Sequence, residues 1–97
     1  MDIPRCLTLF GCLWTVELMP GLISTHSKYG LTNFCGNTIQ VESSLAVDVQ
    51  WAVLVHEVLH IVNDSLALGL DEDTITRLDA GLGQFVLQLV GSADSPQ

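Results

Sequence analysis

A chain of 97 residues has room for one small domain, and 11 acidic side chains against three basic ones (Arg5, Lys28 and Arg77) leave a net charge of −8. Such a surface repels a phosphate backbone, which argues against direct nucleic-acid binding and leaves a basic protein or peptide partner open. With 48% apolar and 14% charged residues the chain is too hydrophobic to be disordered, yet no apolar run reaches the roughly 20 residues of a membrane span.

A domain of this size buries only about 60–65% of its unfolded surface, so a bound metal would add stability that a thin core lacks. Cys6, Cys12 and Cys35 are odd in number and lack CxxC spacing, which suits reduced, partly buried thiols; a Cys6–Cys12 bridge would need an oxidising compartment. Met1-Asp2 opens the chain without the basic region of a secretion signal, so the expected compartment is the cytoplasm.

The first half reads as strands. Cys6 to Phe10 is short, apolar and β-prone, and Gly11 punctuates it. From Leu13 to Leu18, the residues Trp14, Val16 and Leu18 alternate with Leu13, Thr15 and Glu17, the pattern of a half-buried strand. Met19-Pro20-Gly21 ends it. Ile23 to Cys35 is polar, punctuated by glycine and without a readable period. After the turn signal Gly36-Asn37, alternation returns over Asn37 to Glu42, with Ile39 and Val41 opposing Thr38, Gln40 and Glu42.

The second half reads as helical. Ser43 or Ser44 can cap a helix running to about Leu68, with Gly69 as its stop and Ala52, Val55, Leu59, Val62 and Leu66 as its apolar stripe. Asp71 can cap a second helix that reaches about Val90, with Ile75, Leu78, Leu82, Phe85 and Leu89 facing the core. The expected fold is α+β: a small three-stranded, mostly antiparallel sheet followed by two packed helices. Residues 1–91 form the domain and Ser92 to Gln97 a loose tail.

The chemistry is concentrated in His56-Glu57-Val58-Leu59-His60. Residues four apart on a helix lie one above the other, so His56 and His60 can aim two imidazole nitrogens at one tetrahedral Zn2+. Glu57 lies too far round the helix to share the ion, and is placed instead to act as general base toward a water. The plain alternative is two ordinary helical histidines beside a solvated glutamate. Against it, the motif sits mid-helix and is flanked by Val53, Leu54, Val55, Ile61 and Val62, which help to dry a site.

A third ligand must come from elsewhere, because Asn63 and Leu66 stand where the longer HExxHxxGxxH pattern needs glycine and histidine. Glu72 and Asp79 share a face of the second helix with Ile75, whereas Asp73 aligns with Thr76 and Arg77 toward solvent. Glu72 is therefore favoured, ahead of Asp79 and Asp73, although an acid in the first turn also simply complements the helix dipole. Asn63 or Asp64 could orient an imidazole. His26 reads as a surface loop residue, Tyr29 as a packing residue that could alternatively stabilise an oxyanion, and Trp14 and Trp51 as core or interface aromatics.

Several blocks in this order carry a family resemblance: Trp14-Thr15-Val16-Glu17, Gly36-Asn37-Thr38-Ile39-Gln40-Val41, Gln50 to His60, and Leu70-Asp71-Glu72-Asp73 with Leu78 and Gly81-Leu82. Over about residues 5 to 90 the chain resembles the short HExxH proteins of phages and other mobile elements. More distantly it is similar to the ImmA/IrrE-type and minigluzincin metallopeptidases. The resemblance implies a minimal zincin core with His56 and His60 as zinc ligands, Glu57 as base and Glu72 as third ligand. It also implies that the strand before the active-site helix is a sheet edge, where Thr38, Ile39 and Gln40 pair with an extended protein or peptide substrate. The subdomain and oxyanion donor of larger relatives have no counterpart readable in this chain. Two functions follow as expectations: a zinc-dependent peptidase, or a binding and regulatory module that keeps its zinc for structure.

Overall fold

Strands β1 (Cys6–Leu9) and β2 (Cys12–Met19) pair antiparallel, with Leu9 opposite Cys12. The two residues between them, Phe10 and Gly11, both have positive φ, 52° and 77°. That left-handed pair is what a two-residue hairpin turn needs to match the twist of its strands. Trp14 and Val16 point into the core as the alternation predicts, while Leu13 on the other face is exposed.

The stretch without a readable period holds two short elements, α1 (Leu22–His26) and β3 (Gly30–Asn33), ahead of β4 (Thr38–Glu42). The Asn33 side-chain oxygen accepts hydrogen bonds from the N–H groups of Cys35 and Gly36 at 3.0 and 3.2 Å, an Asx turn that reverses the chain into β4. The computed structural model describes residues 1–94, and the sheet has the order β1-β2-β4-β3. The expected α+β class stands, and two of the three strand pairings are antiparallel; the expected count of three strands is corrected. Among the described residues there are four strands, and the central pair, β2 and β4, is parallel because the chain crosses over through α1 and β3 before returning.

One consequence bears directly on function. β4 lies between β2 and β3, so its main-chain groups are engaged on both sides. Thr38, Ile39 and Gln40 are therefore not a substrate-pairing edge, and Ile39 is fully buried. The free edges of the sheet are those of β1 and β3.

The helices are α2 (Val47–Ser65) and α3 (Glu72–Asp94). α2 lies across one face of the sheet, where Leu54 and Ile61 join Ile3, Trp14, Val16, Ile39 and Val41 in the core. Its buried face is Gln50, Leu54, Glu57 and Ile61 rather than the expected stripe, and Leu66 lies beyond its end and exposed. The helix is apolar nearly all round, so periodicity alone cannot choose the face. Neither serine caps it: the N-cap is Ala46, without a side-chain bond, and the Ser44 hydroxyl donates to Glu42 instead. α3 packs along α2. It is capped as expected, the Thr74 N–H reaching Asp71 Oδ1 at 2.8 Å. Of its predicted core stripe only Ile75 is buried, and Leu78, Leu82, Phe85 and Leu89 are exposed. α3 continues through Asp94, so Ser92 to Asp94 are helical rather than a loose tail; residues 95–97 of that tail lie outside the described residues. No helix among the described residues is long and apolar enough to cross a membrane.

Glu42 ties these layers together. Its buried carboxylate accepts the N–H groups of Ile23 and Ser44, at 3.2 and 3.1 Å, and the Ser44 hydroxyl at 2.9 Å. Burial disfavours the charged form, but these donors outweigh it and hold the carboxyl below its ordinary pKa. A carboxyl depressed in the folded state contributes stability that is present above its unfolded value and lost as pH falls through the folded one. Glu42→Gln should accordingly lower the melting temperature at pH 7, with the deficit against wild type shrinking below about pH 4.5 in a pH series of thermal melts.

Gly30 lets β3 approach α2. A Cβ there would meet Val53 Cγ1 at 2.6 Å and Glu57 Cγ at 3.2 Å. Gly30→Ala should cost about 1–3 kcal/mol in urea unfolding, the range for overpacking a close contact.

Candidate metal centre

Four side chains from two helices converge where α2 meets the start of α3. His56 and His60 lie one turn apart on α2, with their Nε2 atoms 3.2 Å from each other. Glu72, in the first turn of α3, places Oε1 at 2.9 Å from His56 Nε2 and Oε2 at 3.0 Å from His60 Nε2. A tetrahedral ion with bonds of about 2.0–2.1 Å holds its donors roughly 3.3–3.4 Å apart. Taking one atom from each side chain, the three donors lie within 4.8 Å of one another, so His56, His60 and Glu72 could hold a metal ion.

The fourth side chain, Asp79, lies behind the cluster. Its Oδ2 accepts the hydrogen bond of His56 Nδ1–H. That bond leaves Nε2 as the nitrogen facing the other donors, the arrangement by which a carboxylate orients a metal-ligating histidine. The choice between the acids is thus made by position on α3. Glu72 reaches both Nε2 atoms, Asp79 reaches only the far nitrogen of His56, and Asp73 pairs instead with Arg77 at 3.0 Å on the surface. Partial burial works against a charged His56, but the Asp79 bond and the charges of Glu57, Glu72 and Asp79 outweigh it and raise its pKa above the ordinary imidazole value.

The chain reversal that delivers Glu72 is held by Asn63. Its Oδ1 accepts the Leu70 N–H at 2.9 Å and its Nδ2 donates to the Leu70 carbonyl at 3.3 Å. Asn63 therefore fixes the α2–α3 connection two residues before Glu72 and does not orient an imidazole, and Asp64 is exposed.

Glu57 turns toward the sheet, buried, with Oε1 accepting the Thr32 hydroxyl hydrogen at 2.8 Å. Sequence reasoning missed Thr32, which is 25 residues away on a strand too short to show a period. Glu57 and the histidines line one cleft of about 580 Å³, together with Tyr29, Thr32, Phe34, Glu72 and Asp79. Tyr29 is exposed on the wall of this cleft and is not a packing residue. His26 is exposed at the end of α1 and belongs to a different groove. Trp14 is core, edge-on to Phe34 at 5.8 Å, and Trp51 donates its indole N–H to the Met1 carbonyl at 2.7 Å.

The cluster makes a graded prediction for metal titration by calorimetry. His60→Ala and Glu72→Ala each remove a converging donor and should abolish tight binding, whereas Asp79→Ala should weaken it by about 10–100-fold, the usual cost of losing an orienting carboxylate. The chain matches no family model, no curated protein and no solved structure.

Proposed function

We infer that the chain is a zinc-dependent peptidase-like protein that hydrolyses a peptide bond in a protein or peptide substrate. The observation that carries this reading is the place of Glu57: a buried carboxylate, steadied by Thr32, in the same open cleft as three converging donors. A site built only to hold a metal for stability has no use for it. Two imidazoles and one carboxylate form a donor set suited to zinc, and three protein ligands leave a position open for chemistry.

The ion's contribution, when bound, is to polarise a scissile carbonyl and bring the pKa of a water toward about 7, within reach of a carboxylate base. Glu57 takes the proton from that water and passes it to the departing amine. Thr32, by donating to one oxygen, leaves the other free for the proton. The expected edge-strand recognition moves to β3, whose outer side is free and whose residues Gly30 to Thr32 line the cleft. An extended peptide adding to that edge would run past Glu57 with Tyr29 and Phe34 beside it. The acidic surface suits a basic or neutral substrate. Likeness to short proteins of phages and mobile elements, with a cytoplasmic site of action, remains part of this reading on the residues that carry the resemblance.

One observation favours a second reading, a metal-stabilised binding module. Glu72 is largely exposed, at 64%, on a helix that buries few of its own side chains. An ion joining it to His56 and His60 would then serve to clamp α3 onto α2.

Glu57→Gln separates the two. Zinc-loaded wild type should cleave unstructured protein substrates, and the variant should keep one zinc per chain while losing about 10²–10⁴-fold in rate. Equal biological activity of the two proteins would reject catalysis and favour the clamp.

A further inference from the structure

We propose that Thr32 couples the free edge of β3 to the general base, its main chain anchoring an extended peptide while its side chain sets Glu57. The inference rests on the peptidase reading above and makes Thr32 a positioning residue within it.

Both halves of the coupling follow from the register of β3. In an antiparallel ladder, successive residues alternate between exchanging hydrogen bonds with the residue opposite and turning their N–H and C=O groups the other way. The Glu42 N–H donates to the Tyr29 carbonyl at 2.8 Å, one step beyond the Gly30–Val41 pair. Tyr29 is therefore in the bonded phase, and so are Leu31 and Asn33, opposite Gln40 and Thr38. Gly30 and Thr32 fall in the other phase. Their N–H and C=O groups face the outer edge, which pairs with no strand among the described residues. Their side-chain positions face α2: the Thr32 hydroxyl donates to Glu57 Oε1 at 2.8 Å, and a Cβ at Gly30 would meet Glu57 Cγ at 3.2 Å. One residue offers main chain to the edge and hydroxyl to the base.

Glu57 depends on that hydroxyl. It is 8% exposed, and among the described residues Thr32 is its one hydrogen-bond donor. The donor sits on a four-residue strand paired on one side only, a setting in which local opening is cheap. A peptide added at the edge supplies the second side of the pairing and holds the hydroxyl against Oε1. The peptide residue directly opposite Thr32 also projects to the same face as Thr32, into the cleft that Glu57 lines. Register of the substrate and orientation of the base are then fixed together.

Hydrolysis of casein, an unstructured protein probe, by the zinc-loaded full chain tests the side-chain half. Thr32→Val keeps the branched shape without the hydroxyl, and Thr32→Ser keeps the hydroxyl. Both should hold one zinc and the wild-type circular dichroism. Thr32→Val should lose about 10–100-fold in kcat, the scale of a hydrogen bond to a charged group, with KM little changed because the main-chain anchors remain. Thr32→Ser should recover most of that loss. Full kcat in Thr32→Val, or no recovery in Thr32→Ser, overturns the role of Thr32 and leaves the peptidase reading to stand on Glu57→Gln. A wild type that leaves casein intact rejects that reading and this inference together.

Amide hydrogen exchange tests the main-chain half in Glu57→Gln, which keeps an acceptor oxygen for Thr32 and does not consume the probe. The Gly30 and Thr32 amides should exchange faster than those of Leu31 and Asn33, and an excess of casein peptides should slow them selectively. Equal rates at all four, or no slowing, overturns the anchoring.

Discussion

Two imidazole nitrogens 3.2 Å apart, with one carboxylate within 3.0 Å of both, make a concentration of polar atoms that a thin-cored protein must compensate. In the absence of an ion, the Asp79 hydrogen bond and the charges of Glu57, Glu72 and Asp79 outweigh burial and push His56 toward its charged form. With an ion, the same contacts become a linkage between the two long helices. Much of the rest of the molecule can be understood as geometry that brings these atoms together: Asn63 clasping Leu70, Asp71 starting α3, and Asp79 returning about two turns later to steady His56.

The sheet contributes through one close approach. Gly30 lacks the side chain that would collide with Val53 and Glu57, so β3 lies near enough to α2 for Thr32 to reach Glu57. The carboxylate that the peptidase reading needs is thereby oriented by a strand and not by its own helix. The same strand is a free edge of the sheet, because β4 is paired on both sides. In the peptidase reading, orientation of the base and access for an extended chain would thus both depend on the position of a four-residue strand.

α3 divides its work between its two ends. Its first turns carry the acids that meet the histidines, and positions 80–91 are uncharged, with Leu82, Phe85 and Leu89 exposed. The net charge of −8 sets copies of the chain in mutual repulsion.

What the sequence by itself determined is local. One helical turn separates His56 from His60 whatever surrounds them, Trp14, Val16, Ile39 and Val41 alternate over distances a single strand spans, and Asp71 caps the turn beside it. The tertiary structure decided whatever depends on chain reversals. It selected Glu72 over Asp79 as the converging donor, placed Thr32 against Glu57, inserted β3 outside β4, and took the Leu54–Ile61 face of α2 for the core. α2 is apolar on nearly every side and β3 is too short for a period to emerge, so neighbours set their orientation. α3 shows the converse: its predicted stripe has a clear period, but α2 meets a different face, and a periodic pattern cannot say whether its partner lies within the same chain.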